Sequence, residues 1–177
     1  MIKNWIFLTS SYLKMKDYEK KGITFNLESK VVSFGKDSVV FEKNGETTEI
    51  KADKVLVSIG RKPMTRGLGL ENIGVELSER GAILTDDRGR TNVAEVYAAG
   101  DVNGRSMLAH TAYREAEVCI NNILGKKDRM RYHGVPSVIY TNPEVASVGE
   151  TEETAKEKGI EYECANISMR YSGRYIA

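Results

Sequence analysis

Over the first third of the chain, apolar residues fall in short runs, each closed by glycine, asparagine or charge. The charged stretch Met15 to Lys21 has helical character and stops at Gly22. Three β-prone runs follow, Ile23 to Leu27, Lys30 to Phe34 and Ser38 to Glu42. Asn44-Gly45 then predicts a tight hairpin turn into a fourth run, Thr47 to Lys51, because these residues tolerate the positive φ such a turn needs. Val55 to Ile59 is apolar without alternation, the pattern of a strand buried on both faces. This part reads as the tail of an α/β nucleotide-binding domain.

Gly60 to Pro63 breaks that pattern, and residues 64 to 95 mix glycine with charge, which predicts loop with short strands. The clearest element follows. Leu108, Ala112, Ala116, Ile120 and Leu124 recur every four residues, Ile123 widens the stripe, and Gly125 with Lys126 and Lys127 marks the end of a helix. Beyond Pro136, Ser137 to Thr141 and Val145 to Val148 read as strands around a turn at Asn142-Pro143. Thr151 and Thr154 open a short helix that Gly159 closes, and Ile160 to Ser168 reads as a further strand. The chain contains no internal repeat and no low-complexity stretch.

Composition narrows the classes. With 26 basic and 25 acidic residues the net charge is +1, so no electrostatic case for nucleic acid arises. The apolar run Trp5 to Leu8 is too short for a signal sequence, and nothing approaches a membrane span. Cys119 and Cys164 lie far apart and read as packing residues, free thiols of a cytoplasmic protein. No His, Cys and Asp cluster has metal-ligand spacing.

The stretch VYAAGDVNGRSMLAH, residues 96 to 110, carries the chemistry. A β-rich run, Val96 to Ala99, stops at Gly100-Asp101; a polar loop leads to a helix opening near Met107. That order sets a carboxylate beside a helix N-terminus, where unpaired N–H groups and the helix dipole favour negative charge. On the residues alone, Asp101 reads equally as an ordinary helix cap, Met107 and Leu108 as core, Gly60 as a turn glycine and Val31 as strand packing.

Together with IGRKP (Ile59 to Pro63), GLGLENIGVEL (Gly67 to Leu77) and VPSVIYTNPEVASVGETEE (Val135 to Glu153), this stretch resembles the pyridine-nucleotide disulfide oxidoreductases. Within that family it looks most like the dihydrolipoyl dehydrogenases; the last motif separates it from the glutathione and mercuric reductases. The likeness runs from about Asp17 to about Met169, while residues 1 to 16 do not match. It implies an α/β chain made of partial FAD- and NAD(P)-binding, Rossmann-like domains with the start of an α+β interface domain. Residues 1 to 62 would end the NAD-binding domain, 63 to 134 form a second segment of the FAD-binding domain, and 135 to 177 begin the dimerisation domain.

The resemblance also implies roles. Asp101 would accept hydrogen bonds from the flavin ribityl chain or its phosphate linker, while Met107, Leu108, Ala109 and His110 would turn helix N–H groups toward the flavin pyrimidine edge. Gly60 would border the nicotinamide or ribose of NAD, and Val31 its adenine end. His110 reads as structural or flavin-adjacent rather than as a base, and His133 as a loop residue. Arg61 and Lys62 would meet phosphate or simply solvent. The implied reaction is oxidation of dihydrolipoamide through FAD to NAD, in a homo-oligomer served by a lipoyl-bearing carrier protein of a multienzyme complex.

Three parts of that machinery are missing from these 177 residues: the two G-x-G-x-x-G fingerprints, the C-x-x-x-x-C dithiol and the C-terminal His-Pro motif. The expectation is therefore an internal piece of the enzyme, inactive by itself and without catalytic residues. The rivals are a non-catalytic chain acting only through self-association, or a different reductase of the superfamily.

Overall fold

The computed structural model describes residues 15–142 and 144–173; the expectations for Trp5 to Leu8 and for Pro143 lie outside the described residues. The described residues up to Tyr132 form one compact unit, and those from His133 onward belong to a second.

In the first unit, residues 15 to 20 are helical and Gly22 takes a φ of 87° just after them. A three-stranded antiparallel sheet follows, in the order β1 (Lys30–Phe34), β2 (Ser38–Lys43) and β3 (Glu46–Lys51). Its second hairpin is set by local chemistry. Lys43 pairs with Glu46, and Asn44 and Gly45 between them have φ of 52° and 81°, both positive as a type I′ turn requires. Only β2 turns residues inward, with Ser38 and Phe41 buried; β1 and β3 are exposed along their length. The Ser38 hydroxyl donates to the Glu49 carboxylate across the pair at 2.6 Å.

Two expected strands do not form here. Ile23 to Leu27 carries no strand, with turns at residues 21 to 22 and 27 to 28. Val55 to Ile59 belongs to no ladder among the described residues, and its side chains face solvent, Leu56 being 92% and Ile59 93% exposed. A buried strand needs neighbours to take its N–H and C=O groups, and the described residues supply none for this run.

Residues 64 to 106 build the core. Val75, Ile83 and Ala98 are buried together, with Leu70, Val93, Val96 and Val102 packed around them. The loops hold through scattered pairings in place of long strands. Ile83 N–H donates to Val102 C=O and Ala98 N–H to Gly89 C=O, both at 2.9 Å. The Asn92 amide ties Gly74 C=O to Glu76 N–H.

The long helix, Ala109–Ile123, closes this unit. It ends in a Schellman motif: Lys126 N–H donates to Asn121 C=O and Gly125 N–H, at a φ of 77°, to Asn122 C=O. The buried face is Thr111, Glu115, Val118 and Cys119, while Ile120, Ile123 and Leu124 of the apolar stripe lie in water. Which face turns inward is decided by the loops it meets: Gly89 lies against Cys119 and Gly100 against Ala112.

Just past the helix, Asp128 folds back on it: the Arg114 guanidinium grips both carboxylate oxygens at 2.7 and 2.9 Å, and Asn121 donates to the same carboxylate at 2.8 Å. These hydrogen bonds, Arg114's first, hold the Asp128 carboxyl down at about 2 against an ordinary 3.8. A depressed folded-state pKa stabilises above the unfolded value, and that contribution disappears as pH falls from 3.8 through about 2. Asp128→Asn is therefore expected to flatten the acid limb of stability in that window, read by denaturant unfolding at stepped pH.

The second unit contains a short antiparallel pair, β4 (Ser137–Ile139) with β5 (Val145–Ser147), and a short helix, Glu152–Glu157. Thr151 and Thr154 form the expected capping box, and Gly159 follows at a φ of 66°. Residues 160 to 168 form no strand, and Ile167 is exposed, so the apolar run there has no partner among the described residues. Cys164 is exposed as well and donates to the Glu152 carboxylate at 3.4 Å, which corrects its reading as a packing residue.

Candidate functional site: a carboxylate loop against a helix start

Gly100 is held in a backbone conformation, φ 85° and ψ −161°, that is open essentially to glycine alone. It lets the chain turn sharply out of the core at Ala98 and into a 3-10 turn, Asp101–Asn103, which Gly104 closes at a φ of 66°. A methyl at Gly100 would lie 3.4 Å from the Ala112 methyl, so the loop rests on the first turn of the long helix. Asp101 stands at the head of the turn, partly exposed, 3.5 Å from the Arg61 guanidinium. The ion pair brings the IGRKP segment to the carboxylate. An exposed pair of this kind contributes little to stability, so Asp101 remains free to exchange partners.

The helix start is uncapped. Leu108 is the capping residue, extended at φ −123° and ψ 135°, and its own side chain makes no cap hydrogen bond. Ala109 and His110 lie exposed in that first turn, and Met107 and Leu108 are half-buried ahead of it. Ser106 and Thr111 share a hydroxyl hydrogen bond of 3.0 Å beside them. The N–H groups of a helix start, with the helix dipole behind them, suit an electron-rich ligand edge.

Beside the turn is a cleft of about 740 Å³ whose walls include Arg61, Lys62, Arg80, Asn103, Gly104 and Met107. It is narrow at Gly104, where a methyl would come 2.7 Å from the Ala82 methyl. Of the residues singled out from sequence, the structure gathers Asp101 and the stretch 107 to 110 around one loop–helix junction, with Met107 in the cleft wall. Gly60 directly precedes Arg61, with a φ of 102° and open space where a side chain would stand. Val31 stays on the sheet, paired with Phe41 and half exposed, and does not line the cleft. His133 lies in a 3-10 turn, Tyr132–Gly134.

Glu115 escaped the sequence reading. It is 2% exposed, accepts the Gly100 N–H at 2.5 Å and accepts the Tyr132 hydroxyl at 2.7 Å. Burial, then this hydrogen bond, pushes the Tyr132 phenol well above its ordinary pKa. The available signal was position: Glu115 falls four residues from both Thr111 and Cys119, on the face that turns inward. Burial also raises the Cys119 thiol, with Glu115 adding to it, so Cys119 is an unreactive packing group as expected. Among the described residues no cluster suits a metal ion, and no helix is long and apolar enough to cross a membrane.

The donor set fits the flavin half of an FAD site: a carboxylate for hydroxyls, and a helix start for the pyrimidine edge, beside a cleft lined in part by Met107. It does not include a glycine fingerprint for the pyrophosphate.

Comparison with known proteins identifies the family. Residues 10–116 match the model of the pyridine nucleotide-disulphide oxidoreductase family, and residues 135–177 match its dimerisation domain. The mitochondrial dihydrolipoyl dehydrogenase of Pisum sativum is 46% identical over 165 residues, which cover 90% of this chain and 33% of that protein. Leghemoglobin reductase of Glycine max is 48% identical, covering 90% and 32%, and the mitochondrial dihydrolipoyl dehydrogenase of Homo sapiens 42%, covering 88% and 32%. The chain thus spans about a third of the length of the curated relatives it matches. Among solved structures, the HOCl-induced flavoprotein disulfide reductase RclA of Escherichia coli aligns with a TM-score of 0.73 at 26% identity, covering 90% of this chain and 37% of its own. LpdA of Mycobacterium tuberculosis gives 0.73 at 27%, covering 84% and 33%. The α/β fold is shared with these enzymes. The relatives from Pisum sativum, Arabidopsis thaliana and Homo sapiens are named mitochondrial, which overturns the expected cytoplasmic location. Free thiols and the lack of a recognised signal run do not distinguish the two compartments, so composition could not carry that inference.

Proposed function

Because the chain belongs to the pyridine nucleotide-disulphide oxidoreductase family, we propose that it provides the flavin-facing and NAD-facing walls of a dihydrolipoyl dehydrogenase. The carrying observation is the junction of Asp101 with the uncapped helix start at Leu108. When bound, FAD supplies the two-electron chemistry that links a dithiol to NAD. The chain's residues bind and orient. Asp101 accepts ribityl hydroxyls, and the N–H groups following Met107 and Leu108, at Ala109 and His110, oppose charge that gathers on the pyrimidine edge. Gly60 leaves room for the nicotinamide ribose, and Val31 flanks the adenine end. In this reading residues 1 to 62, 63 to 134 and 135 to 177 are parts of NAD-binding, FAD-binding and interface domains. The substrate is dihydrolipoamide, presented by a lipoyl-bearing carrier of a multienzyme complex.

No dithiol pair and no His-Pro motif lie within the 177 residues. Assayed with FAD, NAD and dihydrolipoamide, the chain is expected to form no NADH. Steady turnover would mean that the chemistry runs on residues this reading leaves out.

A second reading, association, is favoured by the apolar surface. Leu56, Ile59, Ile120, Ile123 and Leu124 are exposed, and residues 135–177 match a dimerisation domain. Each Å² of apolar surface left in water costs about 25 cal/mol. Pairing of two copies is therefore expected, with sedimentation rising with concentration; a compact monomer at every concentration would exclude it.

A further inference from the structure

We infer that Glu115 is a positioning residue for the flavin: it sets the distance between the Asp101 loop and the helix start. This rests on the flavin reading above and concerns how that site is held.

Glu115 is one of a closed circuit of five residues. Its carboxylate accepts the Gly100 N–H on one oxygen and the Tyr132 hydroxyl on the other. The Arg105 guanidinium lies over the Tyr132 ring, 4.1 Å from its centre. The Arg105 N–H donates to the Asn103 side chain at 3.0 Å, and the Asn103 N–H donates to Gly100 C=O at 3.0 Å, closing the ring. Gly100 is therefore gripped through both its N–H and its C=O. Asp101 is the next residue and moves with it.

The other end of the grip is the helix itself. Glu115 and the first-turn N–H groups belong to the same rigid element, Ala109–Ile123. A flavin is rigid as well, so its ribityl chain and pyrimidine edge can be met together only if Asp101 and the helix start keep one spacing. The carboxylate fixes that spacing before the ligand arrives, which spares the cost of ordering the loop on binding. Glu115 has no path to the reacting atoms and acts only through Gly100. A merely packing side chain would not need both acceptor oxygens.

The test uses the full chain with FAD as the probe, and three variants. Glu115→Leu removes both acceptors at similar volume. Glu115→Gln keeps an acceptor for Gly100 and a donor for the Tyr132 oxygen. Tyr132→Phe cuts one arm and leaves the Gly100 grip. Two quantities are read: amide exchange of residues 96 to 104 without ligand, and the FAD dissociation constant from flavin fluorescence. The expected result for Glu115→Leu is exchange at Gly100 and Asp101 faster by an order of magnitude or more, with Val75 and Ile83 still protected. Its FAD binding should be weaker by roughly tenfold. Glu115→Gln should recover most of both, and Tyr132→Phe should fall between. Unchanged exchange at Gly100 in Glu115→Leu would overturn the inference, as would faster exchange with unchanged FAD affinity. Loss of protection at Val75 and Ile83 too would assign Glu115 to global stability and equally overturn it. If the unsubstituted chain bound no FAD, the flavin reading would fall; the exchange data would still report whether Glu115 holds the loop, so the two failures are distinguishable.

Discussion

Asp101→Ala is expected to weaken FAD binding by about 1.5–3 kcal/mol, the worth of a hydrogen bond to a charged acceptor. The substitution leaves the fold alone. Asp101 is partly exposed, and its carboxylate pairs with Arg61 at 3.5 Å, an exposed pair worth little to stability. The loop geometry rests on Gly100, Glu115 and Asn103, which remain. The loss should therefore appear in ligand affinity and not in the melting temperature. Asp101→Asn should recover part of the affinity, since an amide oxygen still accepts but without charge. Equal FAD affinity in Asp101→Ala and the parent chain would remove Asp101 from the site.

The largest stability effect is expected at Gly89. Its φ is 74°, and an added methyl would run into Cys119 Sγ, with Ala98 C=O only 3.5 Å away on another side. Overpacking costs about 1–3 kcal/mol, and a left-handed backbone adds roughly 1–2 kcal/mol for a residue with a side chain. Gly89→Ala should thus destabilise the first unit by about 2–5 kcal/mol in denaturant unfolding. Adding Cys119→Ala opens the space. The double variant should regain more than the two single effects predict by addition, because the steric part is shared. Simple additivity would show that backbone strain, not the thiol contact, sets the cost.

Legibility in the sequence followed the range of the determining interactions. The Asn44-Gly45 hairpin, the Thr151–Thr154 capping box and the Gly125 helix end are local, and each formed where the residues placed it. Val55 to Ile59 depends on ladder neighbours, and none among the described residues pairs with it, so the pattern alone misled. The long helix was plain, but its inward face was not. The apolar stripe through Ile120 and Leu124 faces water, while a threonine and a glutamate are buried against loops. Periodicity cannot report that, because it weighs hydrophobicity and ignores what a carboxylate can bind. The same blindness hid Glu115, whose role depends on a backbone N–H fifteen residues earlier. That Asp101 and residues 107 to 110 meet at one loop–helix junction was legible because carboxylate and helix start are adjacent in sequence.

The central claim is that this chain holds the flavin end of FAD and not its pyrophosphate end. Competition binding tests it most directly. The full chain is titrated with FAD, followed by flavin fluorescence, and challenged with riboflavin or with ADP. The expected result is saturable FAD binding that riboflavin displaces and ADP does not, since in the proposed site Asp101 and the helix start would meet the flavin and ribityl chain, while no glycine fingerprint lies within the 177 residues. Displacement by ADP alone, or no saturable binding, would contradict it.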